Sequence, residues 1–178
     1  MGIKFERAKD EVVELEERNS LIPAGTYNAT IFDAELGEFA TGPDKPNGGR
    51  PSLKLQLVDA DGGLGKSRMF VNLGLFSQWA PSAKNPKGSD NFGLFNFLAA
   101  LLIKDGENMA QANRRVRKEF AEDPNFELPD IEDLLGTPIG VKVTIKGGNN
   151  NYSFLPAGTV KATGGGKSTA NLDELEEL

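Results

Sequence analysis

Gly166-Lys167-Ser168 is the triplet that closes a phosphate-binding loop, and chemistry is first sought there. Such a loop follows G-x-x-x-x-G-K-[ST] between a strand and a helix, so that backbone N–H groups and the helix N-terminus cradle the phosphates. The position five residues before Gly166 is Lys161, and only ten residues follow Ser168. No nucleotide-binding domain fits in that space. Thr163–Ser168 reads instead as a Gly/Ser-type linker to an acidic tip made of Asp173, Glu174, Glu176, Glu177 and Leu178.

Two other sets of residues could do chemistry. Asp59 with Asp61, and Asp130 with Glu132 and Asp133, are the carboxylates a metal-dependent nuclease would use. Asp-Gly turn chemistry already explains the first pair, and acids at a helix start explain the second group. The chain contains no cysteine and no histidine. Thiol nucleophiles, thiolate metal sites, His-based triads and the usual proton shuttle near neutrality are therefore excluded. No enzyme activity and no cofactor are expected.

The third set is basic and aromatic: Lys45, Arg50, Lys54, Arg68, Lys84, Lys87, Lys142 and Lys146, with Phe70, Trp79, Tyr152 and Phe154 among them. Lys and Arg neutralise phosphates and gain by counterion release, while an exposed ring offers a base a stacking partner. Whether these side chains act together depends on the elements that carry them.

Thr26 to about Phe39 reads as a long first strand. "PSLKLQLVDA" alternates, with Leu53, Leu55 and Leu57 on one face and Ser52, Lys54, Gln56 and Val58 on the other. "SRMFVNLGLF" answers it, with Met69, Val71, Leu73 and Leu75 opposite Arg68, Phe70, Asn72 and Gly74. "FGLFNFLAALLIKD" has Phe92, Phe95 and Leu98 or Ala99 at helical spacing and predicts a buried helix. "ENMAQANRRVRKEFAED" predicts an exposed one; its run Arg114, Arg115, Arg117, Lys118 is ordinarily a solvated face. "TPIGVKVTIK" is a fourth strand burying Val141, Val143 and Ile145 and turning Lys142, Thr144 and Lys146 outward; "GGNNN" turns into a fifth, "YSFLPAG".

The expected fold is β-rich α+β, a five-stranded OB-fold barrel with a helical insertion between strands three and four. A small β-sandwich is the rival, and strand count alone does not separate them. Residues 1–20 are a charged N-terminal helix, 21–160 the core, and 161–178 the Gly-rich linker and acidic tail. The outward positions of strands two to four hold Lys54, Arg68, Lys142 and Lys146 and no acid. The loops "TGPDKPNGGR" (Lys45, Arg50) and "KGGNNN" (Lys146) are flexible and basic enough to close over a bound strand. Trp79, Lys84 and Lys87 extend the track, and Tyr152 and Phe154 add rings. Any antiparallel sheet with one wet face shows a similar pattern. On that plainer reading Phe70 lies under a helix, Phe154 is core, and Trp79 anchors its loop.

The net charge of −6 is unevenly spread: −2 in residues 1–20, −4 in the last six, and a neutral body between. "IPAGTYNATIFDAEL", "SLKLQLVDADGGLGKSRMFVNLGLF" and "IEDLLGTPIGVKVTI", with the acidic tail, resemble bacteriophage single-stranded DNA-binding proteins of the OB-fold type. The resemblance spans roughly residues 21–157. It implies a non-enzymatic protein that coats and protects single-stranded DNA in phage replication, recombination or repair. The tail would recruit replication or recombination proteins, and the N-terminal helix is a candidate for homodimerisation. The tail ends in Leu178 where such tails commonly end in an aromatic residue. The alternative is a phage assembly or regulatory module that binds no DNA. No stretch approaches the roughly 20 apolar residues of a membrane span, and the N-terminus lacks a signal-peptide core. A protein of the cytoplasm, the host's if phage-encoded, is expected.

Overall fold

The computed structural model describes residues 21–160. The expected N-terminal helix, the linker and the acidic tail lie outside the described residues. Five long strands form one antiparallel sheet: β1 (Gly25–Glu38), β2 (Pro51–Asp59), β3 (Arg68–Gly74), β6 (Pro138–Lys146) and β7 (Asn149–Leu155), in the order β3-β2-β1-β6-β7. A short ribbon, β4 (Gln78–Trp79) with β5 (Ser89–Asp90), follows β3. Three helices come between the ribbon and β6: α1 (Phe92–Leu102), α2 (Met109–Glu122) and the single turn α3 (Ile131–Leu134). The α+β class and the helical insertion are thus present. The sheet is not closed, because β3 and β7, which a barrel would join, are its two edges.

The first strand is central and long enough to serve two halves. Its beginning, Gly25–Thr30, pairs with β6, and its end, Ala29–Glu38, pairs with β2. A β-bulge interrupts the register with β2 between Ile31 and Asp33. Side chains alternate with a period of two, so the extra residue shifts the phase. Tyr27, Ala29 and Ile31 point inward before it, Ala34 points inward after it, and Phe32 and Asp33 both face out.

The alternating leucines of β2 and the Met69, Val71, Leu73 row of β3 are buried as their pattern requires, together with Val141 and Val143 of β6. Ile145 is not; it lies past the end of the β1 pairing, near the β6–β7 hairpin, and stays 46% exposed. That hairpin turns on Gly147 and Gly148 alone, both at positive φ, so Asn149–Asn151 belong to β7 and not to the turn.

The apolar helix α1 covers the inner face through Leu94, Phe95, Phe97 and Leu98, while Phe92, expected inside, is 66% exposed at its first turn. Its two asparagines reach both sheet edges. The buried Asn91 caps the helix by accepting from the Leu94 N–H (3.2 Å) and donates to the carbonyls of Gly74, the last residue of β3, and Phe76 just beyond it, both at 2.9 Å. Asn96 donates to the Phe154 carbonyl at 3.1 Å and accepts its N–H at 2.6 Å, so β7 has a side-chain partner where a strand neighbour is missing. Unpaired edges invite aggregation, and here a helix covers them.

The second helix packs on the first through Ala112, Val116 and the edge-on contact of Phe120 with Phe95. Its basic run is largely committed within the fold. Arg115 binds Glu107 at 2.7 Å and the Leu102 carbonyl at 2.7 Å, and Arg117 lies over Phe95 and 3.7 Å from Asp90. Arg114 and Lys118 remain exposed.

Candidate functional site

The outer face of β1, β2 and β3 carries the only aromatic side chain of the expected set that stands free on a strand. Phe70 is 55% exposed and lies across from Gln56. Gln56 in turn accepts a hydrogen bond from Arg68 at 2.9 Å, and the Arg68 guanidinium stacks 4.0 Å from the ring centre of Phe32. Phe32 itself is 52% exposed, continuing the outward parity of Asn28 and Thr30, and the bulge turns Asp33 out beside it. Sequence reasoning missed Phe32. Strict alternation along β1 would place it opposite Asp33, and only the bulge puts the two on one side.

Phe70 forms one wall of a cleft of about 220 Å³ shared with Asp33, Glu35, Lys54, Gln56 and Asn72. The Lys54 chain lies over Gly37, where a methyl group would stand 3.7 Å from its Cε. Lys54 and Asn72 also border a second, wider cleft lined by Phe39, Lys45, Asn47 and Trp79. The two share these residues and make one trough. Along β3, Arg68 to Gly74 spans roughly 20 Å at about 3.3 Å per residue.

The far end of the trough is built on aromatic packing. Phe39, Phe76 and Trp79 meet edge-on or tilted at 4.8–5.9 Å, and the Arg50 guanidinium sits 3.5 Å over Phe76. Phe76 folds back over Gly74, where a Cβ would come within 2.5 Å of its ring. Ser52, the cross-strand partner of Gly74, is therefore fully buried, although alternation placed it outward. Trp79 both anchors its segment and borders the trough.

The loop joining β1 to β2, expected to be flexible, is folded on itself. Asn47 Oδ1 accepts from Arg50 Nη1 at 2.7 Å and from the Ala80 N–H at 2.9 Å, tying the loop to the β4 segment. Arg50 is thereby occupied by Phe76 and Asn47, whereas Lys45 stays exposed at the trough wall. Lys84 and Lys87 are exposed in the β4–β5 connection and line neither cleft.

Other members of the expected set are elsewhere. Phe154 is a core residue, 2% exposed and packed edge-on against Phe97 at 5.1 Å, so no base can stack on it. Tyr152 leans on the same core, and burial holds its hydroxyl above the ordinary value of 10. Both belong to the inward parity of β7 opposite Val141 and Val143. Lys142 and Lys146 do face out, but on β6. Lys142 pairs with Thr26 and Lys54 with Glu35, positions separated by roughly 30 Å of strand at about 3.3 Å per residue. The expected single basic face is thus divided. Nor is it free of acids, since β1 contributes Asp33 and Glu35 beside Lys54.

The acids weighed as nuclease ligands serve local structure. Asp59 Oδ1 accepts from the Asp61 N–H at 3.0 Å, and Asp61 Oδ2 accepts from Asn28 at 3.2 Å. Asp130 stands at the N-cap position of α3 with no capping hydrogen bond from its carboxylate, and Glu132 and Asp133 lie in the first turn. Among the described residues no three His, Cys, Asp or Glu side chains converge to hold a metal ion, and no helix is long and apolar enough to cross a membrane. No protein-family model and no curated protein sequence matches the chain.

Proposed function

We propose that the chain binds single-stranded DNA with little sequence selectivity along the trough over β1, β2 and β3. One observation carries this reading: an exposed ring, Phe70, and a guanidinium-on-ring pair, Arg68 on Phe32, stand in one track with Lys54, Lys45 and Trp79. Stacking surfaces interleaved with cations are what a flexible polyanion with exposed bases requires. Duplex DNA hides its bases and would use only the cations.

The OB-fold reading is part of the same proposal. An OB-fold is a five-stranded, partly open barrel that binds oligonucleotides on its second and third strands and adjoining loops. A central first strand shared by two halves, an inserted helix across the two free edges, and the trough on β2 and β3 all support it. A role in coating DNA during phage replication or recombination, with the acidic tail docking partner proteins, follows from the resemblance. Cationic Lys142 and Lys146 would then meet a longer strand that leaves the trough across β6.

Trp79 reports the test. Titration with oligo-dT should quench its fluorescence saturably, less strongly as salt rises, while duplex of equal length leaves it nearly unchanged. A second reading, a module that binds a mixed-charge protein segment, is favoured by Asp33 and Glu35 within the trough. It gains if neither quenching nor anisotropy of labelled oligonucleotide detects binding at low salt.

A further inference from the structure

The two carboxylates are out of place in a site for a polyanion. Asp33 and Glu35 lie on the outer face opposite Gln56 and Lys54, and both line the cleft walled by Phe70. Neither is in an ion pair among the described residues, and their one hydrogen bond is the Ala34 N–H to Asp33 Oδ1 at 3.0 Å. Among the described residues the side chains of Lys54 and Asn72 beside them also have no hydrogen-bond partner, and the Gln56 amide nitrogen donates to none. Donors and acceptors therefore converge unused on one small space.

A phosphate would be repelled from that space, so the backbone of a bound strand must pass beside it, over Lys54 and Arg68. What fits between Phe70 and the carboxylates is flat, uncharged and rich in N–H groups: a nucleobase presenting its Watson–Crick edge. The four bases differ at that edge. Cytosine offers an amino group, which carboxylates accept, next to a ring nitrogen and a carbonyl that accept from the Asn72 amide. Thymine offers a single N–H between two carbonyls, which would face carboxylate lone pairs. We propose that this cleft is a base-reading subsite in which Asp33 and Glu35 bias the strand toward cytosine and against thymine.

The inference rests on the single-strand reading above and adds a bias at one position to otherwise tolerant binding. Anisotropy of labelled oligo-dC and oligo-dT of equal length, measured with the full chain at neutral pH, tests it. Wild type should bind oligo-dC about tenfold tighter, within the range that one good carboxylate–base pairing discriminates. The Asp33→Asn/Glu35→Gln double variant should strengthen oligo-dT binding and bring the two within about twofold. Glu35→Gln alone, at an exposed residue, should narrow the gap and serves if the double variant does not fold. Equal wild-type affinities, or a preference that survives both variants, overturn the inference while leaving single-strand binding standing. Failure to bind either oligonucleotide overturns the single-strand reading itself.

Discussion

Phe70 and Lys54 line one cleft, yet they would act on different parts of a bound strand, and their variants should separate cleanly. Phe70→Ala removes a stacking surface worth roughly 1–3 kcal/mol per base, so affinity should fall about tenfold with no change in its salt dependence. Lys54→Ala removes one phosphate contact and should lower the slope of log affinity against log salt by about 0.7. Titrations at several salt concentrations check both. Equal slopes for the two variants would show that Lys54 meets no phosphate. A second residue-scale consequence concerns Glu107. Hydrogen bonds from Arg115 and the Lys104 N–H hold its carboxyl at about 2, against an ordinary 4.5. Between those values the unfolded chain holds more protons than the native one. Its contribution to stability is therefore full above about pH 4.5 and is lost as pH falls toward 2. Glu107→Gln should flatten the acid limb of a stability–pH curve in that window and leave the alkaline limb unchanged.

At the scale of elements, the decisive joints are asparagines on α1. Asn91 satisfies two carbonyls, one at the end of β3 and one just past it, and one N–H of its own helix, all buried. Asn91→Ala strands these groups and should cost about 3 kcal/mol in urea unfolding, given roughly 1–3 kcal/mol for each buried group left unsatisfied. Gly74→Ala acts differently: its methyl group would displace the Phe76 ring and with it the Trp79 environment, visible as a shifted emission maximum in a protein that still folds. The strands and helices were legible in the sequence because leucines at every second position and phenylalanines at helical spacing have few other uses. Asn91 and Asn96 were not, since an asparagine beside a helical pattern reads as solvent-facing, and nothing local announces the distant carbonyls it serves. The candidate site was legible in part. Lys54, Arg68 and Phe70 followed from alternation on two adjacent strands. Phe154 was misplaced onto the binding face because a short strand of mixed residues has no clear parity. Asp33, Glu35 and Phe32 were missed because their strand was followed only for its length.

For the molecule as a whole, charge is segregated: the region between residues 21 and 167 is neutral and the C-terminal residues are acidic. Removing residues 172–178 deletes Asp173, Glu174, Glu176 and Glu177 and takes the net charge from −6 to −2. Long-range repulsion of a polyanion should fall accordingly, so the truncated chain should bind oligo-dT more tightly at low salt, with the gain fading as the Debye length shrinks below about 10 Å. An identical affinity at low salt would mean that the tail exerts no field at the trough. At the opposite extreme of pH, Tyr27 and Tyr152 both titrate above their ordinary value of 10 because burial disfavours the phenolate. The folded state should consequently lose stability as pH climbs past 10.

The bulge in β1 has a bearing on which genetic changes this fold can absorb. A substitution at Phe32 alters one exposed side chain, whereas loss of a single codon there would restore strict alternation. Ile31 and Ala34 would stay inward and Asp33 and Glu35 outward, so the core would keep its side chains and only the local irregularity of the strand would be lost. Chains that share this architecture should thus accept either another residue or none at position 32, whereas loss of a residue elsewhere in β1 would turn the side chains beyond it to the opposite face.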